Sequence, residues 1–358
     1  MTQSLKSATG EADSAQRIKY LVLALLVVQN VATILSMKQA SRQPAEDGRQ
    51  ALTTSIVVMV ELFKVTICSL EIIVRKKGIY GLYSEISTDI LSKRTETAMM
   101  MVPCFLYFVQ NNLLLLAVAN LDPPVYYVVS QLKILATALF SILILKKQIS
   151  MPKWIALLIL IFGTVLSQSD FQVSGTNVFN SVGLGAAICA VFTSGLAGVL
   201  CERQLKHGSS NVSMSIRNVQ LGVPSCCLGL AALYLQNSEQ IITGGFFQGF
   251  TYWTWTVVFL HSLGGLLVTA VMKFADNLLK GFAMAASLIS ACFLSVHFFE
   301  FVLTSNFIFG ALLVVFSTFM YLADDNFLGG SKTPPSTVEL AETTHKKEED
   351  VSVEEDRC

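Results

Sequence analysis

The chain has 358 residues, of which 53% are hydrophobic and only 14% are charged, and its mean hydropathy is +0.59. Soluble domains carry about 25% charged residues, so this composition excludes an ordinary water-soluble protein and indicates a chain that spans a lipid bilayer. The 25 basic and 25 acidic residues cancel to a formal net charge of zero. Because this balance provides no electrostatic footprint for nucleic acid, we expect no nucleic-acid partner.

Apolar runs long enough to cross a bilayer recur along nearly the whole chain. A hydrocarbon core of about 30 Å needs roughly 20 mostly apolar helical residues. Ten runs meet or approach this length, and the fifth and tenth are short. They cover residues 20–37, 53–74, 98–118, 125–145, 154–168, 182–200, 216–234, 253–274, 278–299 and 307–322. The chain is therefore predicted to be an all-α polytopic membrane protein with ten transmembrane helices.

Lysine and arginine predict the orientation of these spans, because cytosolic loops retain positive charge. With the N-terminus in the cytosol, twenty of the 25 basic residues fall on the cytosolic side. Three fall on the opposite side, namely Lys38, Arg42 and Arg49, and the other two, Lys64 and Lys133, lie within spans. An even number of spans then places both termini in the cytosol.

A longer polar break near residue 170 divides the spans into five plus five. An odd number of spans per half requires any structural repeat to be inverted in the membrane, an architecture typical of transporters. The final segment is rich in Glu, Asp, Thr and Lys and is predicted to be disordered. The predicted organisation is a cytosolic N-terminal tail (1–19), a first five-helix half (20–169), a lumenal linker (170–181), a second five-helix half (182–328) and an acidic cytosolic tail (329–358).

Charged residues inside spans mark interior or water-facing positions, because a central charge costs roughly 2.5 to 3.5 kcal/mol to insert. Glu61 and Lys64 are three residues apart on one helix face, so we interpret them as an internal ion pair rather than a ligand site. Lys133 has no acidic residue within one turn. Its charge therefore requires either an anionic ligand or a carboxylate on another helix.

The remaining polar residues admit two interpretations each. Lys280 precedes an apolar run in the ninth span as Lys133 does in the fourth, and it either binds a ligand or extends to the cytosolic interface. Asn218 and Gln220 either line a cavity or bond helices together, and Tyr126 lies either in a cavity or in an interfacial belt. A nucleotide-like anion would use all of these groups. The candidate substrate-binding residues are Lys133, Lys280, Tyr126, Asn111, Asn218, Gln131 and Gln220.

The eight cysteines lie mostly inside apolar runs, without the spacing of a disulfide framework or of metal ligands. No connecting segment is long enough for a catalytic domain, and the candidate acids lie singly at span ends. We therefore expect no metal, no cofactor and no enzymatic activity. The residues alone predict a carrier for an organic anion.

The segment 127–141, Tyr-Val-Val-Ser-Gln-Leu-Lys-Ile-Leu-Ala-Thr-Ala-Leu-Phe-Ser, resembles the nucleotide-sugar transporters of the Golgi, within the drug/metabolite transporter superfamily. Further stretches agree with the same pattern, in order, from about residue 20 to 325. They are 109–113 with 119–122, 194–198 with Glu202 and 205–206, 216–222, and 273–282. The chain looks similar to the branch that includes transporters of CMP-sialic acid, UDP-galactose and UDP-N-acetylglucosamine.

This resemblance implies ten helices in two inverted five-helix halves, a Golgi membrane location and cytosolic termini. It also implies strict exchange of a cytosolic nucleotide sugar for a lumenal nucleoside monophosphate. By the same resemblance, Lys133 and Lys280 contact phosphate, Tyr126 stacks near the base, and Asn111 and Asn218 line the nucleotide pocket.

The resemblance favours a UDP-hexose as substrate. Gly222 stands where members that carry CMP-sialic acid have a tyrosine, and 245–249 resembles the members that carry UDP-sugars. Ser130 and Pro124 depart from the family pattern, which leaves the exact sugar open. The predicted function is a UDP-sugar/UMP antiporter that works by alternating access. The alternatives are a CMP-sialic acid/CMP exchanger and a non-transport scaffold for Golgi glycosyltransferases, and the expected partners are the lipid bilayer and either a second copy of the chain or such glycosyltransferases.

Overall fold

The computed structural model describes residues 2–42, 50–121, 123–167, 181–207, 212–299 and 304–323. These residues form helices and no strand. The α-helices are α1 (Thr2–Arg42), α2 (Thr53–Arg75), α3 (Ile79–Glu85), α4 (Arg94–Asn120), α5 (Pro123–Gln131), α6 (Lys133–Leu145), α7 (Met151–Leu166), α8 (Ser181–His207), α9 (Met214–Gly244), α10 (Tyr252–Phe274), α11 (Asn277–Phe299) and α12 (Ser305–Leu322), and a π-helical turn (Ile86–Leu91) follows α3.

Eight stretches of the described helices are long and apolar enough to cross a membrane, which supports a polytopic membrane protein. They lie in α1, α4, α8, α9, α10, α11 and α12 and in the continuation of α5 into α6. Helix α7 is apolar but has 16 residues, about 24 Å at 1.5 Å per residue. Helix α2 has 23 residues and is not among these eight, and its sequence includes the charged residues Glu61, Lys64, Glu71 and Arg75.

The fourth predicted helix, 125–145, is interrupted. Helix α5 ends at Gln131 and α6 begins at Lys133, with Leu132 between them. The N–H of Leu132 donates to the carbonyl oxygen of Val129, three residues back, at 3.1 Å, so the helix tightens into one 3₁₀-type turn there. Leu132 keeps right-handed helical torsions, with φ of −61° and ψ of −14°. Hydropathy does not register such a break, because the residues on both sides remain apolar.

The structure describes only the first of the two predicted terminal segments. Helix α1 is continuous from Thr2, so the segment predicted as an N-terminal tail extends the first helix. The acidic tail predicted at 329–358 lies outside the described residues, as does the predicted linker 170–181 apart from Ser181.

The helices pack in a pattern that repeats between the two parts of the chain. If α1, α2, α4, α5–α6 and α7 are taken in order against α8, α9, α10, α11 and α12, each large interface has a counterpart. Helix α4 packs on α8 as α10 packs on α1, α6 packs on α8 as α11 packs on α1, and α2 packs on α10 as α9 packs on α4. The α2–α9 and α7–α12 interfaces are their own counterparts. The two sets, which we call the five-helix sets, therefore make corresponding contacts with each other.

The α7–α12 interface shows how closely these helices approach. A Cβ atom at Gly163 would lie 2.9 Å from the carbonyl oxygen of Gly310. A Cβ atom at Gly310 would lie 2.5 Å from the backbone nitrogen of Ser167. Both positions therefore require glycine, which is the usual way for membrane helices to bring their backbones together without a hydrophobic driving force between them.

Contacts between helix ends define one end of the bundle. Arg217 Nη2, near the start of α9, lies 2.8 Å from Glu96 Oε2 in the first turn of α4. Lys206, near the end of α8, donates to the carbonyl oxygen of Ala275, just after α10. We call this side the basic end, defined by Arg75, Lys93, Lys147, Lys206 and Arg217.

Candidate ligand-binding site

A cavity of about 560 Å³ lies between α2, α4, α8, α9 and α10, within the size range of small-molecule sites. We call it the central cavity. Polar groups interrupt a mostly apolar lining, and those used below are Glu61, Lys64, Tyr107, Asn111, Gln236 and Thr269. An apolar pocket with a few placed polar groups is suited to orienting an organic ligand.

The only charged groups in the described lining of the central cavity are Glu61 and Lys64, and they face each other. Lys64 Nζ lies 2.5 Å from Glu61 Oε2, and their side chains are 11% and 16% exposed. Two glycines make room for the pair. A Cβ atom at Gly222 of α9 would lie 3.4 Å from Glu61 Oε2, and one at Gly265 of α10 would lie 3.1 Å from Lys64 Cδ. The pair is thus held between three helices.

A second cavity, of about 330 Å³, lies between α4, α5, α6, α8 and α11. We call it the lysine cavity. It brings together three of the predicted site residues, Tyr126, Gln131 and Lys133, with Gln110 of α4 opposite them. Leu114 lines both cavities, so the two spaces adjoin at this side chain.

Lys133 is the first residue of α6, directly after the break in the helix, and its side chain is exposed to the lysine cavity. No carboxylate in the described part of the chain lies within ion-pair distance of its ammonium group. The alternative of an ion pair with another helix therefore finds no partner among the residues that the structure describes.

Lys280 is the fourth residue of α11 and lies outside the lining of both cavities. It lies near Lys133 and near Cys201, which is on the wall of the central cavity. Lys133 lies further along the α5–α6 pair than Lys280 does along α11, so the two lysines do not occupy matching depths in their spans.

Asn218 and Gln220 lie in helix packing rather than on a cavity wall, and each is 3% exposed. The Asn218 side-chain oxygen accepts a hydrogen bond from Thr269 Oγ1 at 3.1 Å. Gln220 Nε2 donates to Thr97 Oγ1 at 3.0 Å and to the carbonyl oxygen of Asp89 at 3.2 Å. These contacts match the helix-bonding interpretation of the two residues. Asn111, by contrast, lines the central cavity.

Several cavity residues were not among those predicted. Tyr107 lies four residues before Asn111 on the same face of α4, and Ser225 and Gln236 lie on one face of α9. The signal that could have found them is helical spacing, because residues three and four apart share a face. Among the described His, Cys, Asp and Glu side chains, no group of three could hold a metal ion.

The chain is similar to known proteins along most of its length. A family model described as nucleotide-sugar transporter matches residues 14–322. The UDP-N-acetylglucosamine transporter of Canis lupus familiaris is 41% identical over 312 residues, covering 85% of this chain and 95% of that protein. The Homo sapiens protein of the same name is 40% identical over 311 residues, covering 85% and 95%. The Homo sapiens UDP-galactose translocator is 38% identical over 318 residues, covering 87% and 79%.

A solved structure described only as the crystal structure of a protein has the same overall fold. It aligns with a TM-score of 0.60 over 87% of this chain and 96% of that chain, at 12% sequence identity. The family model and the relatives describe transporters, not enzymes. Because the family model covers most of the chain, and the relatives are about 40% identical over most of their own length, this chain belongs to the nucleotide-sugar transporter family.

Proposed function

We propose that this transporter is an antiporter that exchanges UDP-N-acetylglucosamine or UDP-galactose for UMP by alternating access. The names of the relatives support the two UDP-sugars. The observation that carries the mechanism is Lys133, a cation at membrane depth in the lysine cavity with no carboxylate partner among the described residues. Such a charge is costly unless a ligand compensates it.

The two lysines account for exchange in physical terms. Lys133 and Lys280 are like charges near each other, an arrangement that favours a bound anion. The diphosphate of a UDP-sugar and the monophosphate of UMP both carry the negative charge that would compensate the two lysines. A carrier that reorients empty must do so with two cations that have no carboxylate at ion-pair distance among the described residues, so the loaded form should cross faster.

The remaining site residues take supporting roles in this proposal. Tyr126 offers an aromatic face and Gln131 an amide beside Lys133 in the lysine cavity, which suits the nucleotide. Asn111 faces the adjoining central cavity, which has room for the rest of the substrate. Asn218 acts through Thr269 on the cavity wall, and Gln220 acts by fixing the start of α4.

We further propose that α2 and α7 also cross the membrane, so that ten helices form two inverted five-helix halves. At about 34 Å, α2 is long enough, and its two central charges compensate each other. The matched interfaces of the two five-helix sets support the repeat, and an odd number of spans per set requires it to be inverted. By the positive-inside rule the basic end faces the cytosol, with both termini, and a Golgi membrane fits the predicted substrates.

The test is exchange by the full-length protein reconstituted in liposomes. Vesicles preloaded with UMP should take up labelled UDP-N-acetylglucosamine or UDP-galactose, and vesicles without internal nucleotide should take up several-fold less. Equal uptake by empty vesicles would exclude exchange. Competition by unlabelled nucleotide sugars identifies the substrate, and stronger competition by CMP-sialic acid than by either UDP-sugar would favour the CMP-sialic acid/CMP alternative.

A further inference from the structure

Glu202, near the end of α8, is a carboxylate with no exposed surface, and the proposed mechanism gives it no role. Its Oε1 atom lies 2.7 Å from Lys147 Nζ and 2.8 Å from Lys206 Nζ. Its Oε2 atom accepts a hydrogen bond from the backbone N–H of Asn277 at 3.0 Å. Burying a charge away from water costs free energy, so buried charges in proteins are normally paired and hydrogen-bonded. Both oxygen atoms of the Glu202 carboxylate have such partners.

These bonds fix the start of α11. Asn277 is the first residue of that helix, and the first N–H groups of a helix have no partner within it. Glu202 supplies one acceptor, and Asp276 Oδ1 supplies another by accepting from the N–H of Leu279 at 2.7 Å. Lys280 is the next residue, and it interacts electrostatically with Glu202. The position of Lys280 therefore depends on Glu202.

The same carboxylate joins the two five-helix sets. Lys147 follows α6, in the first set, at a turn where Lys146 has a left-handed backbone with φ of 53°. Glu202 and Asp276 belong to the second set, and Lys147 Nζ lies 3.8 Å from Asp276 Oδ2. Opening the basic end by separating the two sets would have to break the contact between Lys147 and Glu202.

This cluster lies directly behind the wall of the central cavity. Cys201, the residue before Glu202, lines that cavity together with Cys104 and Met272, and the three belong to one buried cluster. Movement of the end of α8 would therefore expose the two cysteines toward the basic end.

We propose that Glu202 is a positioning residue for transport. Through the first turn of α11 it holds Lys280 in place, and through Lys147 it keeps the basic end of the central cavity closed when no substrate is bound. The role of Lys280 rests on the proposed antiport function, whereas closure of the basic end can be tested without substrate.

The structure supplies a matched control. Glu85 is also a buried carboxylate at the basic end, with Arg75 Nη2 at 3.0 Å and Lys76 Nζ at 3.4 Å. Its partners, however, belong to the end of α2 and the residue that follows it, so Glu85 joins neighbouring elements of the same set. Glu85→Gln removes a comparable charge without touching α11 or the contact between the sets.

The experiment measures two quantities in oriented proteoliposomes. The first is labelling of Cys104 and Cys201 by a membrane-impermeant maleimide added at the basic end, with the Cys104→Ser/Cys201→Ser protein as blank. The second is the KM and maximal rate of UDP-N-acetylglucosamine/UMP exchange. Glu202→Gln should raise the labelling rate about tenfold by shifting the population toward the open form, and should raise KM about tenfold.

Two further variants separate the contact of Glu202 with Lys147 from its contact with the start of α11. Lys147→Gln should raise labelling by a similar factor but change KM by less than about threefold, because Glu202 still holds α11. Glu202→Asp, which keeps the charge, should show smaller increases in labelling rate and in KM than Glu202→Gln. Glu85→Gln should change neither.

Unchanged labelling and unchanged KM in Glu202→Gln would overturn the inference, as would an equal effect of Glu85→Gln. If Glu202→Gln does not fold, Lys147→Gln decides the closure, and labelling at the wild-type rate by that variant would overturn it. If the wild-type protein exchanges no nucleotide sugar for UMP, the proposed function fails, while the labelling comparison still decides whether Glu202 closes the basic end.

Discussion

Lys64 and Lys133 both lie on cavity walls within helices of the bundle, but the surroundings of their ammonium groups differ. Lys64 lies 2.5 Å from a carboxylate three residues earlier on the same helix. Lys133 has no such neighbour among the residues that the structure describes, and it lines a cavity together with Tyr126 and Gln131. A cation with a counter-ion on its own helix has little need of a ligand, whereas one without a counter-ion attracts an anion.

Neutralising Lys133 should have the largest effect. In Lys133→Ala we expect exchange to fall about 100-fold or more, equivalent to about 3 kcal/mol, because the phosphate loses a charge-assisted partner in a water-poor site. The measurement is kcat/KM for exchange in proteoliposomes, with the elution profile and thermal transition as checks on folding. Near-normal exchange by a folded Lys133→Ala protein would show that Lys133 does not bind the substrate.

Giving Lys133 an internal counter-ion should weaken transport without removing the lysine. Ser130 lines the lysine cavity three residues before Lys133, the same separation as Glu61 and Lys64. In Ser130→Glu we expect exchange to fall about tenfold or more, because the new carboxylate competes with phosphate for the ammonium group.

Ser130→Gln is the control for this second prediction, because it adds similar volume without charge. It should retain exchange within about threefold of the wild type if charge is the cause. An equal loss in both variants would show that the added volume, and not the paired lysine, impairs transport.

Breaking the ion pair between Glu61 and Lys64 should mainly affect stability. Glu61→Gln leaves the Lys64 cation without its partner, and we expect the free energy of unfolding in detergent to fall by about 2 kcal/mol. The double variant Glu61→Gln/Lys64→Gln removes both charges and should lie within about 1 kcal/mol of the wild type, since no uncompensated charge remains. Additive losses in the double variant would mean that the two groups do not act as a pair.

The sequence predicted well those features that depend on continuous segments. The helical spans are visible because each needs only a run of apolar residues, and the ends of α10 at Phe274 and of α12 at Leu322 coincide with the predicted ends of their spans. The family follows from stretches spread along the whole chain, and the family model and relatives confirm it. The proximity of Glu61 and Lys64 was likewise predictable, because residues three apart on a helix are neighbours.

Other features could not be predicted from the sequence, for physical reasons. The break between Gln131 and Lys133 changes backbone hydrogen bonding without changing hydropathy, so the predicted span 125–145 contained no sign of it. Asn218 and Gln220 were candidate ligand residues, but their hydrogen bonds reach Thr269 and Thr97 on other helices, contacts that no local pattern reveals. Glu202 was noted only as part of a family stretch.

Composition and runs of apolar residues were sufficient to establish a helical membrane protein, because insertion into lipid is decided by each segment largely on its own, and the transporter family followed from the resemblance of particular stretches. The three-dimensional arrangement was needed to show which charges are compensated. Whether Lys133 lacks a counter-ion, and whether Glu202 has three partners, depends on which helices lie side by side, and residues far apart in the chain supply those neighbours.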